Sequence, residues 1–209
     1  MLLKALALGP LQTNCYLLAD GRGGPSAVID PGAEPERVLA LLKEQALELR
    51  YILLTHYHFD HIGAVNGLVE ATGAEVCIHA HEAEPLARPP AIFKLFAQGG
   101  ISPVKAGRLL VDNETLGLGE LTIACLLTPG HSPGGLSFYL ASERVVFCGD
   151  ALFAGSIGRT DLPGGSQRIL AQSIRERLYT LPPETVVYPG HGPETTIALE
   201  RAGNPYVRP

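Results

Sequence analysis

The feature that most constrains the fold of this chain is a pattern that occurs four times along it. A short apolar segment with strand character is followed, at once or after a tight turn, by a His or Asp side chain. The segments and side chains are Tyr51–Leu54 with His56, Leu121–Leu127 with His131, Val145–Cys148 with Asp150, and Thr185–Tyr188 with His191. A buried strand that ends in a turn places the next side chain at the edge of its sheet. The pattern therefore predicts a fold in which sheet edges carry the polar groups.

The segment Thr55-His56-Tyr57-His58-Phe59-Asp60-His61 concentrates these groups. Chance produces three His and one Asp in this arrangement roughly 2 times in 10,000 chains of this composition. Imidazole and carboxylate are ligands that borderline divalent metals prefer. His56 and His58, two apart on extended chain, can face one centre, and Asp60 and His61 can face a second one nearby. The alternative for this segment is a His-rich surface loop.

Composition and charge exclude several classes of protein. With 46% hydrophobic residues among 209 and no glycine period, the chain is neither disordered nor collagen-like. A formal charge of −5 disfavours a nucleic-acid binder, and no apolar stretch reaches the roughly 18 residues that a membrane span needs. Met1–Leu8 is predicted as a first strand, because Gly9-Pro10 follows it directly. Four separated cysteines predict buried, reduced thiols in a cytoplasmic protein.

The predicted strands form two groups, and helices follow each group. This order predicts one α+β domain over residues 1–209, a four-layer αββα sandwich with two sheets back to back. The predicted helices are one from Pro35 with an apolar stripe that includes Ala46, His61–Ala71, Ser166 to about Tyr179 with Ile169 facing inward, and Pro193–Arg201. Arg88–Val104, with its prolines and glycines, is predicted as a surface excursion or lid.

Taken in order, these motifs resemble the metallo-β-lactamase superfamily over nearly the whole chain. The resemblance rests on Asp30, the His56–His61 segment, His131, Asp150 and His191. Val28-Ile29-Asp30-Pro31-Gly32 and Gly158-Arg159-Thr160-Asp161 resemble the glyoxalase II and persulfide dioxygenase branch. Glyoxalase II proper has an additional helical domain with basic residues that bind glutathione, so this chain is similar to the short glyoxalase II-like proteins.

The resemblance implies a role for each of these side chains. His56, His58 and His131 hold one divalent metal ion, Asp60, His61 and His191 hold a second, and Asp150 bridges both. Asp60 and Asp150 are also the implied catalytic groups. Asp30 orients a ligand by a hydrogen bond, against the alternative of an ordinary turn aspartate. Arg159 binds a glutathione-linked substrate, against the alternative of a structural loop arginine.

The implied activity is hydrolysis of acyl-thioesters such as hydroxyacylglutathione, with two zinc ions as the first expectation and iron or manganese as alternatives. The implied partner is a small-molecule thioester, with no nucleic acid and no membrane. The alternative activity is a persulfide dioxygenase with one iron held by His56, His131 and Asp150. A β-lactamase is disfavoured by the Gly-Arg-Thr-Asp segment, and a nuclease by the acidic charge.

Overall fold

The protein is described by a computed structural model that covers residues 1–91, 93 and 102–209. The chain divides into two compact units. The first contains Met1–Leu110 and Gly117–Leu121, and the second contains Val111–Leu116 and Thr122–Pro209. Each unit has helices and its own main sheet, so the two predicted groups of strands are confirmed. No helix of the described residues is long and apolar enough to cross a membrane.

The first sheet has the strand order β1-β2-β3-β4-β5-β6. Its strands are β1 (Leu2–Leu8), β2 (Thr13–Ala19), β3 (Pro25–Ile29), β4 (Glu48–Leu53), β5 (Glu75–His79) and β6 (Arg108–Leu110). β1, β2 and β3 pair antiparallel, and β3 to β6 pair parallel. The carboxyl ends of parallel strands share one edge of a sheet, which places the residues after β3 beside those after β4.

The helices of the first unit are α1 (Pro35–Glu44), α2 (Phe59–Ile62), α3 (Val65–Thr72) and α4 (Ala80–Ala87). Ala46 was expected on the first helix, but it is exposed and lies beyond the end of α1 with a φ of 53°. The single helix expected over His61–Ala71 is two helices, α2 and α3. The helix is interrupted there because the Ala64 N–H donates to the Pro31 carbonyl of a neighbouring loop at 2.9 Å and not to a carbonyl of the helix.

The second sheet has the order β14-β13-β10-β9-β8-β7, and a separate hairpin joins β11 and β12. The strands are β7 (Thr115–Leu118), β8 (Leu121–Leu127), β9 (Leu136–Leu140), β10 (Val145–Gly149), β11 (Leu152–Phe153), β12 (Ser156–Ile157), β13 (Val186–Pro189) and β14 (Thr195–Thr196). β10 and β13 are parallel neighbours, whereas β8, β9 and β10 pair antiparallel. Residues that follow β10 and β13 therefore lie at the same edge of this sheet.

The helices of the second unit are α5 (Gln167–Ser173), continued by a π-helical turn (Ile174–Leu178), and α6 (Ile197–Gly203). Ser166 caps α5 as predicted, since its hydroxyl accepts from the Ile169 N–H at 3.4 Å. Ile169 itself was expected inside and is 37% exposed, so that prediction is wrong. The last helix begins at Ile197 and not at Pro193, because Thr195–Thr196 first pairs with β13.

The predicted excursion Arg88–Val104 falls in part (92 and 94–101) outside the described residues. Both of its flanks are tied to the first unit. Phe93 is 2% exposed and stacks on the ring of Tyr57 at a centroid distance of 5.6 Å. The Val104 N–H donates to the Leu86 carbonyl at 3.1 Å.

Candidate metal centre

Asp30 is the centre of a buried hydrogen-bond group at the end of β3. Its side chain accepts from the Thr55 N–H at 2.8 Å and from the Thr55 hydroxyl at 2.6 Å. His61 Nδ1 lies 3.0 Å from the same carboxylate. Because a carboxylate only accepts, Nδ1 of His61 carries the proton and Nε2 keeps its lone pair for a metal ion. Asp30 is 1% exposed, so water does not compete for these bonds.

Thr55 links Asp30 to a second imidazole, that of His56. Its hydroxyl proton is directed to Asp30, so the hydroxyl oxygen accepts from Nδ1 of His56, 2.9 Å away. His56 then also presents Nε2. The ring centroids of His56 and His61 are 4.2 Å apart, and those of His56 and His58 are 4.5 Å apart. One buried carboxylate thus sets the tautomer of two neighbouring imidazoles, one directly and one through a hydroxyl.

Asp60 stands at the start of α2, where its carboxylate meets both a strand and an imidazole. The Thr13 hydroxyl of β2 donates to Asp60 Oδ2 at 3.2 Å, and His61 Nε2 is 3.6 Å from the same oxygen. The backbone here approaches Gly32 so closely that a Cβ on Gly32 would lie 1.8 Å from the Asp60 carbonyl oxygen. This contact requires a glycine at position 32, and the absence of a side chain there lets the start of α2 lie against the segment that follows β3.

A second buried carboxylate accepts a hydrogen bond from the main chain between His56 and His58. The Tyr57 N–H donates to Glu82 Oε2 of α4 at 3.1 Å, and Glu82 is fully buried. Burial, with the charge of Glu82 as a further cause, raises the pKa of the Tyr57 phenol. His79 and His81 are at the start of the same helix, where His79 Nδ1 accepts the His81 N–H at 3.2 Å. His79 thus caps this helix, which is an ordinary polar role at the end of a strand.

In the second unit, three predicted side chains gather after β8, β10 and β13. Nε2 of His131 lies 3.6 Å from Asp150 Oδ2, and Nε2 of His191 lies 3.7 Å from the same oxygen. Nδ1 of His131 is 2.7 Å from the carbonyl oxygen of Arg159. The His131 ring is therefore also held at Nδ1, with Nε2 turned towards the carboxylate.

The separations of these donor atoms test whether the residues suit a metal ion. Ligand nitrogen and oxygen atoms lie about 2.0–2.2 Å from zinc, so neighbouring ligands on one tetrahedral ion are about 3.3–3.6 Å apart. The three imidazole–carboxylate pairs, at 3.6, 3.6 and 3.7 Å, are longer than hydrogen bonds and close to this spacing. Asp30, His56 and His61 also offer ligand atoms within 4.8 Å of one another. The residues present fit divalent metal binding in each unit.

Arg159 has an exposed side chain in a well-defined geometry. Its Nε and one terminal nitrogen donate to the two carboxylate oxygens of Asp161, both at 2.7 Å. This forked pair, with the hydrogen bond from Arg159 as the first cause, lowers the pKa of Asp161 to about 2. The guanidinium thus has an exposed carboxylate as its partner, whereas the backbone of the same residue contacts His131.

The structure brings the predicted side chains together in two sets. The set of the first unit comprises Asp30, His56, His58, Asp60 and His61, and the set of the second comprises His131, Asp150, His191 and Arg159. Sequence reasoning missed four supporting groups, which are the hydroxyls of Thr13 and Thr55, the carboxylate of Glu82 and the carbonyl of Arg159. Thr55 could have been found as a hydroxyl beside the motif. Thr13 and Glu82 act over 47 and 25 residues and leave no local signal.

The comparison with protein families is decisive for the fold. The model described as "Metallo-beta-lactamase superfamily" matches residues 8–191, which extend over both units. The chain belongs to the metallo-β-lactamase superfamily. The α+β metallo-β-lactamase fold with two sheets, predicted from the motifs, is thereby confirmed. Membership of this superfamily supports a metallo-hydrolase, and the His and Asp groups suit divalent metal ions.

Three similar proteins match nearly the whole chain. Hydroxyacylglutathione hydrolase GloC of Haemophilus influenzae is 35% identical over 209 residues, which cover 99% of this chain and 98% of that protein. The crystal structure of BLEG-1 B3 metallo-β-lactamase is 39% identical, covers 99% of both chains and has a TM-score of 0.91. The crystal structure of TTHA1623 in a di-iron-bound form is 42% identical, covers 98% of this chain and 100% of that chain, and has a TM-score of 0.85.

Proposed function

We propose that this protein hydrolyses acyl-thioesters in the manner of glyoxalase II, with two divalent metal ions and zinc as the first choice. The observation that carries the proposal is the matched arrangement of the two sets of side chains. His61 and His131 each have Nδ1 bound by an oxygen acceptor and Nε2 at 3.6 Å from a carboxylate. The thioester class of substrate is supported by the hydroxyacylglutathione hydrolase of H. influenzae, which matches nearly full length.

The proposed ligand sets follow the superfamily pattern. In that pattern His56, His58 and His131 would hold one ion, Asp60, His61 and His191 would hold the other, and Asp150 would contribute to both. A shared carboxylate offsets the repulsion between two dications, which no neutral side chain does at short range. Asp30 serves this centre by orienting His61 directly and His56 through Thr55.

Two divalent ions bound there would lower the pKa of a water molecule towards about 7 and so supply a nucleophile at neutral pH. Asp60 and Asp150 would orient this water and accept its proton as the water oxygen bonds to the thioester carbonyl carbon. The carbon–sulfur bond then breaks, and the sulfur leaves as a thiolate that needs no general acid. Thr13 keeps the Asp60 carboxylate in place by its hydrogen bond.

Arg159 is the proposed substrate-binding residue. Its side chain is 61% exposed, and its backbone carbonyl contacts His131, so the side chain extends from beside a proposed ligand into solvent. A substrate carboxylate would take the place of Asp161 on the same fork. This contact is remote from the reacting carbonyl and acts by uniform binding, so Arg159→Ala raises KM by about tenfold and leaves kcat nearly unchanged.

The proposal is tested by assaying the purified metal-loaded protein on lactoyl-glutathione, followed by the loss of thioester absorbance. Wild type hydrolyses the thioester, and His191→Ala loses most of the rate because the second ion loses one of its ligands. His81→Ala is the matched control, since His81 is exposed and outside both sets. A β-lactam is the second arm, because one similar structure is that of a β-lactamase. Hydrolysis of the β-lactam without the thioester overturns the proposal.

Persulfide dioxygenation is the second candidate, and the similarity to the crystal structure of ETHE1 from Myxococcus xanthus, 33% identical with a TM-score of 0.81, favours it. Here one iron is held by His56, His131 and Asp150, so His191→Ala retains the metal. Oxygen uptake with glutathione persulfide by the iron-loaded wild type, without thioester hydrolysis, reverses the order of the two candidates. Metal content separates them as well, because the hydrolase binds close to two ions per chain.

We further propose a cytoplasmic protein that acts on a small molecule and on neither nucleic acid nor membrane. Its four cysteines are buried thiols, which suit a reducing compartment. The net charge of −5 disfavours binding to phosphate backbones.

A further inference from the structure

We propose that the backbone of Gly158 and Arg159 is a positioning element for His131. In this inference, which rests on the proposed metal centre, the Arg159 carbonyl selects Nε2 of His131 as the metal-binding nitrogen. Gly158 permits the close approach that this contact needs. The segment thus has two proposed roles. The guanidinium of Arg159 binds the substrate, and the main chain of the segment orients His131.

The hydrogen bond itself defines the tautomer. Nδ1 of His131 is 2.7 Å from the Arg159 carbonyl oxygen, a strong hydrogen-bond distance. A carbonyl only accepts, so Nδ1 of the neutral imidazole carries the proton and Nε2 has the lone pair. Nε2 is also the atom 3.6 Å from Asp150 Oδ2, the proposed shared ligand. The carbonyl thus fixes both the tautomer and the direction of the ring.

Gly158 lies in the narrow space between Asp150 and His131. A Cβ on Gly158 would be 1.8 Å from the Asp150 carbonyl oxygen and 3.1 Å from His131 Nδ1. The first distance is far inside any non-bonded contact and the obstacle is backbone, so the loop must move to admit even a methyl group. Because Arg159 is the next residue, a shift of Gly158 away from Asp150 also displaces the Arg159 carbonyl from the His131 ring.

The hairpin that precedes this segment is anchored, so the carbonyl is held in a defined place. Glu200 of α6 is buried and accepts the Gly155 N–H at 3.0 Å. Asn204 donates to the same carboxylate at 2.8 Å and to the Ser156 carbonyl at 3.0 Å. These bonds attach the last residue of the β11–β12 turn and the first residue of β12 to Glu200 of α6 and to Asn204, which caps that helix. A rigid carrier is what a residue that orients a metal ligand requires.

The side chain of Arg159 takes no part in this role, because its guanidinium is engaged with Asp161. The two functions of the segment can therefore be separated. Arg159→Ala keeps the carbonyl and removes the guanidinium. Gly158→Ala keeps the guanidinium and displaces the carbonyl.

The first test reads the tautomer directly in metal-free wild type. Nitrogen-15 NMR of the histidine side chains is recorded at about pH 8, where an ordinary imidazole is neutral. The His131 signals are assigned by their loss in His131→Asn. The expected result is a protonated Nδ1 and an unprotonated Nε2 on His131. A His131 ring that is protonated at Nε2, or that exchanges between the two tautomers, overturns the inference even if Gly158→Ala does not fold.

The second test measures metal affinity by competition with a chromophoric chelator. Gly158→Ala weakens binding of at least one ion by about 10–100-fold, the usual effect of losing a partner of a ligand histidine. Arg159→Ala changes the affinity by less than about threefold. Gly73→Ala, at the end of α3 and outside this segment, is the matched control, because its φ of 71° makes an alanine strained while no atom lies within 4 Å of the added Cβ. It lowers Tm and leaves metal affinity unchanged.

Wild-type affinity in a folded Gly158→Ala protein, or an equal loss in Arg159→Ala, contradicts the inference. The thioester assay on wild type is independent of these readouts. Absence of thioester hydrolysis together with the expected His131 tautomer refutes the proposed substrate and leaves the positioning role intact.

Discussion

Removing the hydroxyl of Thr55 is the sharpest test of how this chain prepares its histidines. In Thr55→Val the volume and branching of the side chain are kept, but two hydrogen bonds are lost. One is the donation to Asp30 at 2.6 Å, and the other is the acceptance from His56 Nδ1 at 2.9 Å. Thr55 and His56 are both 2% exposed, so water cannot replace either bond.

The size of the effect follows from these two contacts. A hydrogen bond to a charged group contributes about 1.5–3 kcal/mol, and a buried donor left without an acceptor costs about 1–3 kcal/mol. The two losses share one side chain, so we expect the free energy of unfolding of metal-free protein to fall by about 2–5 kcal/mol. For a chain of this size that corresponds to a decrease in Tm of about 4–20 °C. Metal affinity falls by about 10–100-fold, because His56 is free to adopt the other tautomer.

The assay combines urea unfolding in the presence of a chelator with a metal competition titration. Thr55→Ser restores the hydroxyl and retains most of the affinity. Thr195→Val is the matched control, since Thr195 also donates to a buried carboxylate, Glu200, at 2.7 Å but contacts no proposed ligand. It lowers the stability without weakening metal binding. Thr55→Val with wild-type affinity, or Thr55→Ser as weak as Thr55→Val, refutes the relay from Asp30 to His56.

Three further predictions concern buried groups around the two sets. Glu82→Leu removes the acceptor of the Tyr57 N–H and weakens metal binding about tenfold, whereas Glu82→Gln retains most of the affinity. Equal metal affinities of the two variants in a competition titration contradict a role of Glu82 in supporting the metal-binding segment. Glu200→Ala leaves three hydrogen-bond donors without their acceptor, so the free energy of unfolding measured by urea titration falls by about 3 kcal/mol or more. A decrease below about 1 kcal/mol refutes this structural role of Glu200. Burial, with the charge of Glu200 as the next cause, raises the pKa of Tyr179 from 10.0 to about 12. The fold thus favours the neutral phenol, and stability present below pH 10 is lost as the pH rises towards 12; Tyr179→Phe lacks this component in an alkaline unfolding series.

Local pattern was enough where an element depends on its own residues. The sequence predicts a strand over Leu121–Leu127, and β8 has the same bounds in the structure. Apolar runs between turn residues are sufficient for such strands. Prediction from local pattern failed where a distant part of the chain contacts the element. A Cβ on Gly63 would lie 2.2 Å from the Gly32 carbonyl oxygen, and this neighbouring loop divides the helix expected over His61–Ala71.

The candidate site divides in the same way. Residue types and their order in the chain were sufficient to select the His and Asp side chains, because metal preference is a property of the side chain itself. Which nitrogen each imidazole offers was decided by tertiary structure. Asp30 acts on His61 across 31 residues, and the Arg159 carbonyl acts on His131 across 28. A carbonyl is present in every residue, so no side-chain pattern marks the one that folding brings to within 2.7 Å of an imidazole.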